Sequence, residues 1–269
     1  MIFPNFSQKF FSLQSYLRYR WQAQGATYLH SPFVYQLYQQ VVRGPSPYYA
    51  FAQIEKLRRD CLHNPQVISV LDFGARAYPQ TSRQYPRTVA QIARHSLSSP
   101  AQAKLLFRLV NYFQPQVILE TGTSLGISTL YMALARLQSQ VYTLEGCPET
   151  ARLAQRHFEA FSAHHIHLTV GPLQETLPRI LEKVEELDMV FLDAHHRYEP
   201  TRTYFEACLA RAHSQTLFVL DDIHWSAEME SAWHWIKAHP RVSLTLDLFD
   251  CGLVFLHEDR EKSHFTLRF

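Results

Sequence analysis

From Val117 onward, short apolar runs alternate with stretches of helical spacing. Apolar runs ending in polar residues occur at 117–121, 140–145, 166–170, 188–193, 216–221, 242–248 and 251–257. Between them, apolar positions recur at helical intervals over 126–137, 148–162, 173–186, 200–212 and 226–238. Strands alternating with helices predict βαβ units and a parallel sheet. Asp250-Cys251-Gly252 joins the last two runs tightly, which predicts a hairpin with one strand antiparallel. The fold class expected is α/β: a seven-stranded, mostly parallel sheet with a C-terminal antiparallel hairpin.

The first hundred residues read differently. Phe11–Gln22 and Phe33–Val42 carry aromatics at helical spacing, with Pro32 suited to an early helical position. Gln66–Phe73 has the pattern of a short strand. Tyr78–Tyr85, with Pro79 and Pro86, reads as a loop, and Val89–His95 and Ala101–Phe113 read as helices, the second stopping before Pro115. The expected organisation is a mainly helical extension over 1–100 and a sheet domain over 101–269.

Charge sharpens this division. The chain has 269 residues and a formal charge of +2, but residues 1–116 carry 13 Lys and Arg against 3 Asp and Glu, and residues 117–269 carry 13 against 21. One reading docks the basic region on the acidic one. The others are an anionic substrate, RNA or a membrane surface. Four scattered cysteines without a CxxC pair argue against a disulfide framework or structural zinc and fit a reducing, cytoplasmic setting. The N-terminal stretch lacks the apolar core of a signal peptide, and no apolar run reaches transmembrane length.

The candidate chemistry lies at the strand ends. Val117-Ile118-Leu119-Glu120 runs into Thr121-Gly122-Thr123-Ser124-Leu125-Gly126, and a helix opens near Ser128. Glycine allows close backbone approach, and a helix start offers free N–H groups to a ligand. Gly122 to Gly126 also spells G-x-S-x-G, the elbow of esterases with Ser124 as nucleophile. Context favours a nucleotide turn. The next strand, Gln140 to Leu144, ends in Glu145, where nucleotide folds bind a ribose diol. The strands and oxyanion loop that should precede an esterase elbow are missing from the pattern. Further on, Leu192-Asp193-Ala194-His195-His196 and Leu220-Asp221-Asp222-Ile223-His224-Trp225 end two more strands. Three carboxylates there suit a hard cation such as Mg²⁺, or Zn or Mn with the histidines. The plainer alternative has Asp222 capping the helix near Ser226 and the histidines lining a polar rim. His196 suits a general base.

In order and spacing, the ETGTSLGIS turn, the TLEG strand end, GPLQETLP, FLDAHHRYEP and LDDIHW resemble class I S-adenosylmethionine (SAM)-dependent methyltransferases. The resemblance is nearest to the catechol/caffeoyl-CoA O-methyltransferase-like group and its bacterial relatives, and it covers residues 101–257. It implies a Rossmann-like sheet and SAM as cofactor. Glu120, Gly122 and Ser128 would hold the amino-acid end of SAM, Glu145 the ribose, and the loop of Gly171, Leu173 and Gln174 the adenine. Thr123, Ser124, Gly146, Asp193, Ala194 and His195 complete the contacts it implies. Asp193, Asp221 and Asp222 fall where metal-dependent members place Asp, Asp and Asn, and His196 falls where they carry a basic lysine. The activity implied is O-methylation of a small-molecule or glycan hydroxyl. RNA is the alternative acceptor, since Arg18-Tyr19-Arg20-Trp21 pairs cations with stacking rings. A noncatalytic SAM-binding module and an esterase are lesser alternatives, and a homodimer is compatible with the pattern.

Overall fold

A computed structural model of the chain describes residues 6–44, 47–72, 83–257 and 261–269. In chain order the elements are α1 (Phe6–Gln22), α2 (Pro32–Leu37), α3 (Tyr49–His63), β1 (Val67–Asp72), β2 (Arg83–Thr88), α4 (Val89–Ser96), α5 (Pro100–Phe113), β3 (Val117–Thr121), α6 (Ile127–Ala135), β4 (Gln140–Glu145) and α7 (Pro148–Ala160). They continue with β5 (Ile166–Val170), α8 (Leu173–Lys183), β6 (Leu187–Leu192), α9 (Tyr198–Leu209), β7 (Ala212–Asp221), α10 (Ala227–Ala238), β8 (Leu244–Asp247), β9 (Cys251–Phe255) and β10 (Ser263–Thr266).

Local signals set these boundaries. Thr88 and Gln91 form a reciprocal capping box at the start of α4. Ser99 caps α5, Pro100 fills its first turn, and the helix stops at Gln114, whose φ of 52° is left-handed, just before Pro115. Ser31 and Pro32 do the same for α2, which widens into a π turn over Tyr38–Val42. Among the described residues no helix is long and apolar enough to cross a membrane. All four cysteines are free and buried.

β3 to β10 make one eight-stranded, mostly parallel sheet rather than the seven-stranded one expected. The added strand is β10, which pairs parallel with β8 from Ser263↔Leu244 to Thr266↔Asp247. Its Ser-His-Phe-Thr is too short and polar to register as an apolar run. The hairpin is present, with β9 antiparallel to both β8 and β7. Two further elements escaped the pattern. α3 is one, and β2 is the other, falling where Tyr78–Tyr85 reads as a loop. Residues 78–82 of that loop lie outside the described residues, as does Phe73 at the end of the expected strand, and β2 pairs antiparallel with β1 over Val67↔Thr88 to Asp72↔Arg83.

The chain divides into two compact units, Gly44–Leu187 and Met1–Arg43 with Asp188–Phe269. In the first, β3, β4 and β5 are parallel neighbours, with Thr121 opposite Leu144 and Glu145 opposite Val170. That register brings their carboxyl ends to one edge. Behind it, Ile54, Phe107, Ile127, Leu130, Tyr131 and Phe158 form a closed core. In the second, the order is β10-β8-β9-β7-β6. α1 is tied into this unit by Tyr19, whose hydroxyl donates to the Leu267 carbonyl at 2.6 Å, and by an Arg18–Glu230 ion pair at 3.0 Å.

Candidate functional site

In the Gly44–Leu187 unit, β3 delivers Glu120 to the sheet edge and the chain then turns sharply. Gly122 has φ 93°, Ser124 φ 49° and Gly126 φ 77°, all left-handed. Backbone N–H groups of Gly122 and Thr123 donate to the Leu144 carbonyl at 2.9 and 3.2 Å, which ties the turn to the end of β4. Gly126 is sterically required, because a Cβ there would lie 2.5 Å from Cε1 of Phe158. Gly126→Ala adds this clash to an unfavourable backbone angle. It is expected to cost about 2–4 kcal/mol and to lower the melting temperature by on the order of 5–10 °C in a calorimetric scan.

Glu120 is fully buried, and both of its oxygens are engaged internally. Ser128 Oγ donates to one at 2.6 Å; Thr129 Oγ1, and Thr143 Oγ1 at 2.7 Å, donate to the other. These bonds lock the start of α6 to β3 and β4. Burial lifts its carboxyl to about 7, against the downward pull of these three hydroxyls. A carboxyl raised in the folded state contributes stability present below its ordinary value, and that contribution is lost as pH rises through about 7. Relative to Glu120→Gln, the wild type should therefore lose about 3 kcal/mol between pH 4 and pH 8 in urea titrations. Equal slopes for the two proteins would show that Glu120 ionises freely in the fold.

Glu145, at the tip of β4, is the carboxylate the turn presents. Its Oε2 accepts the Ser124 N–H at 2.7 Å and its Oε1 the Cys147 N–H at 2.8 Å. A carboxylate has about four acceptor positions, so each oxygen keeps room for another donor. Burial raises its pKa, and the backbone N–H groups of Cys147, Ser124 and Gly146 oppose the rise. Gly171, with φ 143°, donates its N–H to the Glu145 carbonyl at 2.9 Å, so the loop into α8 meets the same edge. Leu173 is buried at the start of α8 and Gln174 is exposed beside it. The structure thus gathers Gly122, Thr123, Ser124, Glu145, Gly146 and Gly171. Sequence reasoning missed Thr129 and Thr143, whose hydroxyls face inward on apolar elements. The Ser124 hydroxyl pairs with that of Ser96 at 2.7 Å rather than with a histidine base, so the elbow lacks its activating partner.

The other unit carries the second cluster. His195 (φ 65°), His196 (φ 40°) and Asp222 (φ 54°) are three left-handed non-glycine residues just after β6 and β7. Such backbone strain collects at functional sites. The His196 ring lies between two carboxylates, with Nε2 3.5 Å from Asp193 Oδ1 and Nδ1 3.7 Å from Asp222 Oδ2. The Asp193, His196 and Asp222 side chains are 14, 25 and 40% exposed, so the cluster opens on the Asp222 side. The Trp225 ring stands 5.9 Å from the imidazole. Burial lowers the His196 pKa and raises that of Asp222, while their mutual attraction opposes both shifts. Ser226, not Asp222, caps α10 by accepting the Met229 N–H. Asp222 is therefore free of the capping role.

The three histidines expected here do not converge. His195 Nδ1 meets the Tyr204 hydroxyl at 3.3 Å, and His224 Nε2 meets Asp247 Oδ2 at 2.8 Å, stacked on Phe249. Nor do Asp193, Asp221 and Asp222 form the expected cation site. Among the described residues no group of three or more His, Cys, Asp or Glu side chains is arranged to hold a metal ion. Asp221 is buried at the end of β7, and the His196 ring stands against the other two carboxylates. As placed here, the side chains are not arranged to hold a divalent cation.

Known proteins now bear on this geometry. A family model described as a methyltransferase domain matches residues 119–223, spanning the glycine turn, Glu145 and both later strand ends. The chain is 34% identical over 128 residues to the catechol O-methyltransferase of Niastella koreensis, covering 46% of this chain and 57% of that protein. It is 32% identical over 136 residues to the catechol O-methyltransferase of Mycobacterium tuberculosis, covering 50% and 60%. It therefore spans less than two thirds of the length of these relatives. An O-methyltransferase from Bacillus cereus in complex with SAH matches at a TM-score of 0.56 with 20% identity, covering 83% of this chain and 97% of that one. That likeness shows a Rossmann-like fold.

Proposed function

We propose that this chain is a SAM-dependent O-methyltransferase acting on a small-molecule or glycan hydroxyl. The observation that carries the reading is the edge where the glycine turn, Glu145 and Gly171 are hydrogen-bonded together inside a methyltransferase domain. SAM would supply an electrophilic methyl group on its sulfonium. Glu145 would accept the ribose hydroxyls with oxygens already oriented by two backbone N–H groups. The glycine turn lets the backbone approach the nucleoside, and Ser124, Gly146, Leu173 and Gln174 would line it. Glu120, with Ser128 and Thr129, would keep that turn in place. The division into an extension of 1–100 and a domain of 101–269 belongs to this proposal, as does a cytoplasmic setting.

The chain's own share of the chemistry is placement and proton transfer. His196 is the base. Burial favours the neutral form of its imidazole, and Nδ1 faces the more open, Asp222 side, where an acceptor hydroxyl has access. An acceptor hydroxyl on that open side would hand its proton to Nδ1. The imidazolium so formed would be flanked by Asp193 and Asp222 and would return the proton to solvent. The Trp225 ring gives the acceptor an aromatic wall. That wall, and the names of the relatives, make a catechol the first acceptor to test. Incubation with methyl-labelled SAM and a panel of catechols and glycans should give labelled ether and stoichiometric SAH. SAH binding without transfer to any hydroxyl of the panel would leave a noncatalytic binding module.

A further inference from the structure

We propose that the imidazole of His196 takes the place of a divalent cation between Asp193 and Asp222, so that this chain transfers methyl groups without a metal. The inference rests on the O-methyltransferase reading above and specifies its acceptor side.

Three observations support it. The first is occupancy. Mg²⁺ binds oxygens at about 2.0–2.1 Å in near-ideal octahedral geometry. Here the imidazole is set against both carboxylates, with Nε2 3.5 Å from Asp193 Oδ1 and Nδ1 3.7 Å from Asp222 Oδ2. The ring and an ion cannot share that space. The Trp225 ring lies beside it, 5.9 Å between centroids. A lysine, with a long flexible stem, would reach past such a space rather than fill it.

The second is charge. Asp193 and Asp222 both stand against the one imidazole, and two neighbouring carboxylates repel each other unless a positive charge compensates. The histidine supplies the compensating charge at the moment it accepts the acceptor's proton. The cluster therefore stabilises the product of proton transfer, the service a cation would otherwise render by lowering the hydroxyl's pKa. The third is the remaining ligand. Asp221 is 8% exposed at the end of β7 and is not gathered with the other two into a three-ligand group among the described residues.

The test uses Mn²⁺ as probe, followed by electron paramagnetic resonance of the free ion, on wild type, His196→Ala and His196→Gly. Glycine suits the left-handed angle at 196, so it guards against misfolding of the alanine variant. SAH titration of the same samples checks the cofactor reading separately, so a failure there and a failure of this proposal are distinguishable. Removing the ring should expose Asp193 and Asp222 to the ion. At least one variant should bind Mn²⁺ about tenfold or more tightly than wild type. Adding Asp222→Ala should cancel the gain. Wild-type turnover should be unchanged by EDTA. Tight wild-type binding that Asp222→Ala abolishes would overturn the proposal. So would failure of both variants to gain Mn²⁺ affinity, or turnover that EDTA stops and Mn²⁺ restores.

Discussion

His196→Ala is expected to lower kcat by about 10²–10⁴-fold, the usual worth of a positioned general base, while SAH affinity changes by less than about twofold. The expectation follows from where the ring lies. It is the group between Asp193 and Asp222, its burial favours the neutral form that accepts a proton, and its backbone is strained into place. KM for the acceptor should move little, because the interaction lost is made as the proton transfers rather than in the ground state. Exogenous imidazole should restore part of the lost rate in the alanine variant, which a structural defect would not permit. A variant that keeps wild-type kcat would remove His196 from the chemistry and leave the acceptor to lose its proton to water.

Much of the fold was legible in the sequence, and the reasons are local. Val117–Leu119 and Met189–Leu192 are continuous apolar runs because strands of a parallel sheet are covered on both faces. The start of α5 was readable from Ser99-Pro100, and the end of α5 from Pro115. What was missed has equally physical causes. β10 is held by its register with β8 and by Gln24, whose N–H donates to the Thr266 carbonyl at 2.8 Å; that pairing lies more than two hundred residues away in sequence. α3 opens without a side-chain cap, and the buried Arg58 on its inner face hides its apolar stripe. Arg58 is accommodated by Glu55 at 3.0 Å and by the Ser98 carbonyl at 2.7 Å.

The site was legible as a set of strand ends, not as a set of contacts. Gly122, Glu145 and Gly171 meet because β3, β4 and β5 share a register, and that follows from the alternating pattern. The fate of each carboxylate depends on its neighbours in space. Glu120 and Glu145 look alike in sequence, each an acid at the end of an apolar strand. Three hydroxyls enclose the first, and two backbone N–H groups hold the second at the end of β4. His195, His196 and His224 look equally suited to one cluster, yet Tyr204 and Asp247 draw two of them away.

The difference between the two glutamates makes the last expected result specific. Glu145→Ala should weaken SAH binding by about tenfold or more in calorimetry, since a charge-assisted hydrogen bond contributes roughly 1.5–3 kcal/mol. Part of that loss has another source. Ser124 and Cys147 would each lose an acceptor for a backbone N–H, and the turn could loosen. A cycle separates the two effects. Binding of 2′-deoxy-SAH to wild type should already lack most of the ribose interaction. Glu145→Ala should then weaken the deoxy ligand far less than it weakens SAH. If both ligands lose equally, Glu145 acts on the turn alone and the ribose lies elsewhere. If neither loses affinity in a folded variant, the nucleoside does not bind at the end of β4.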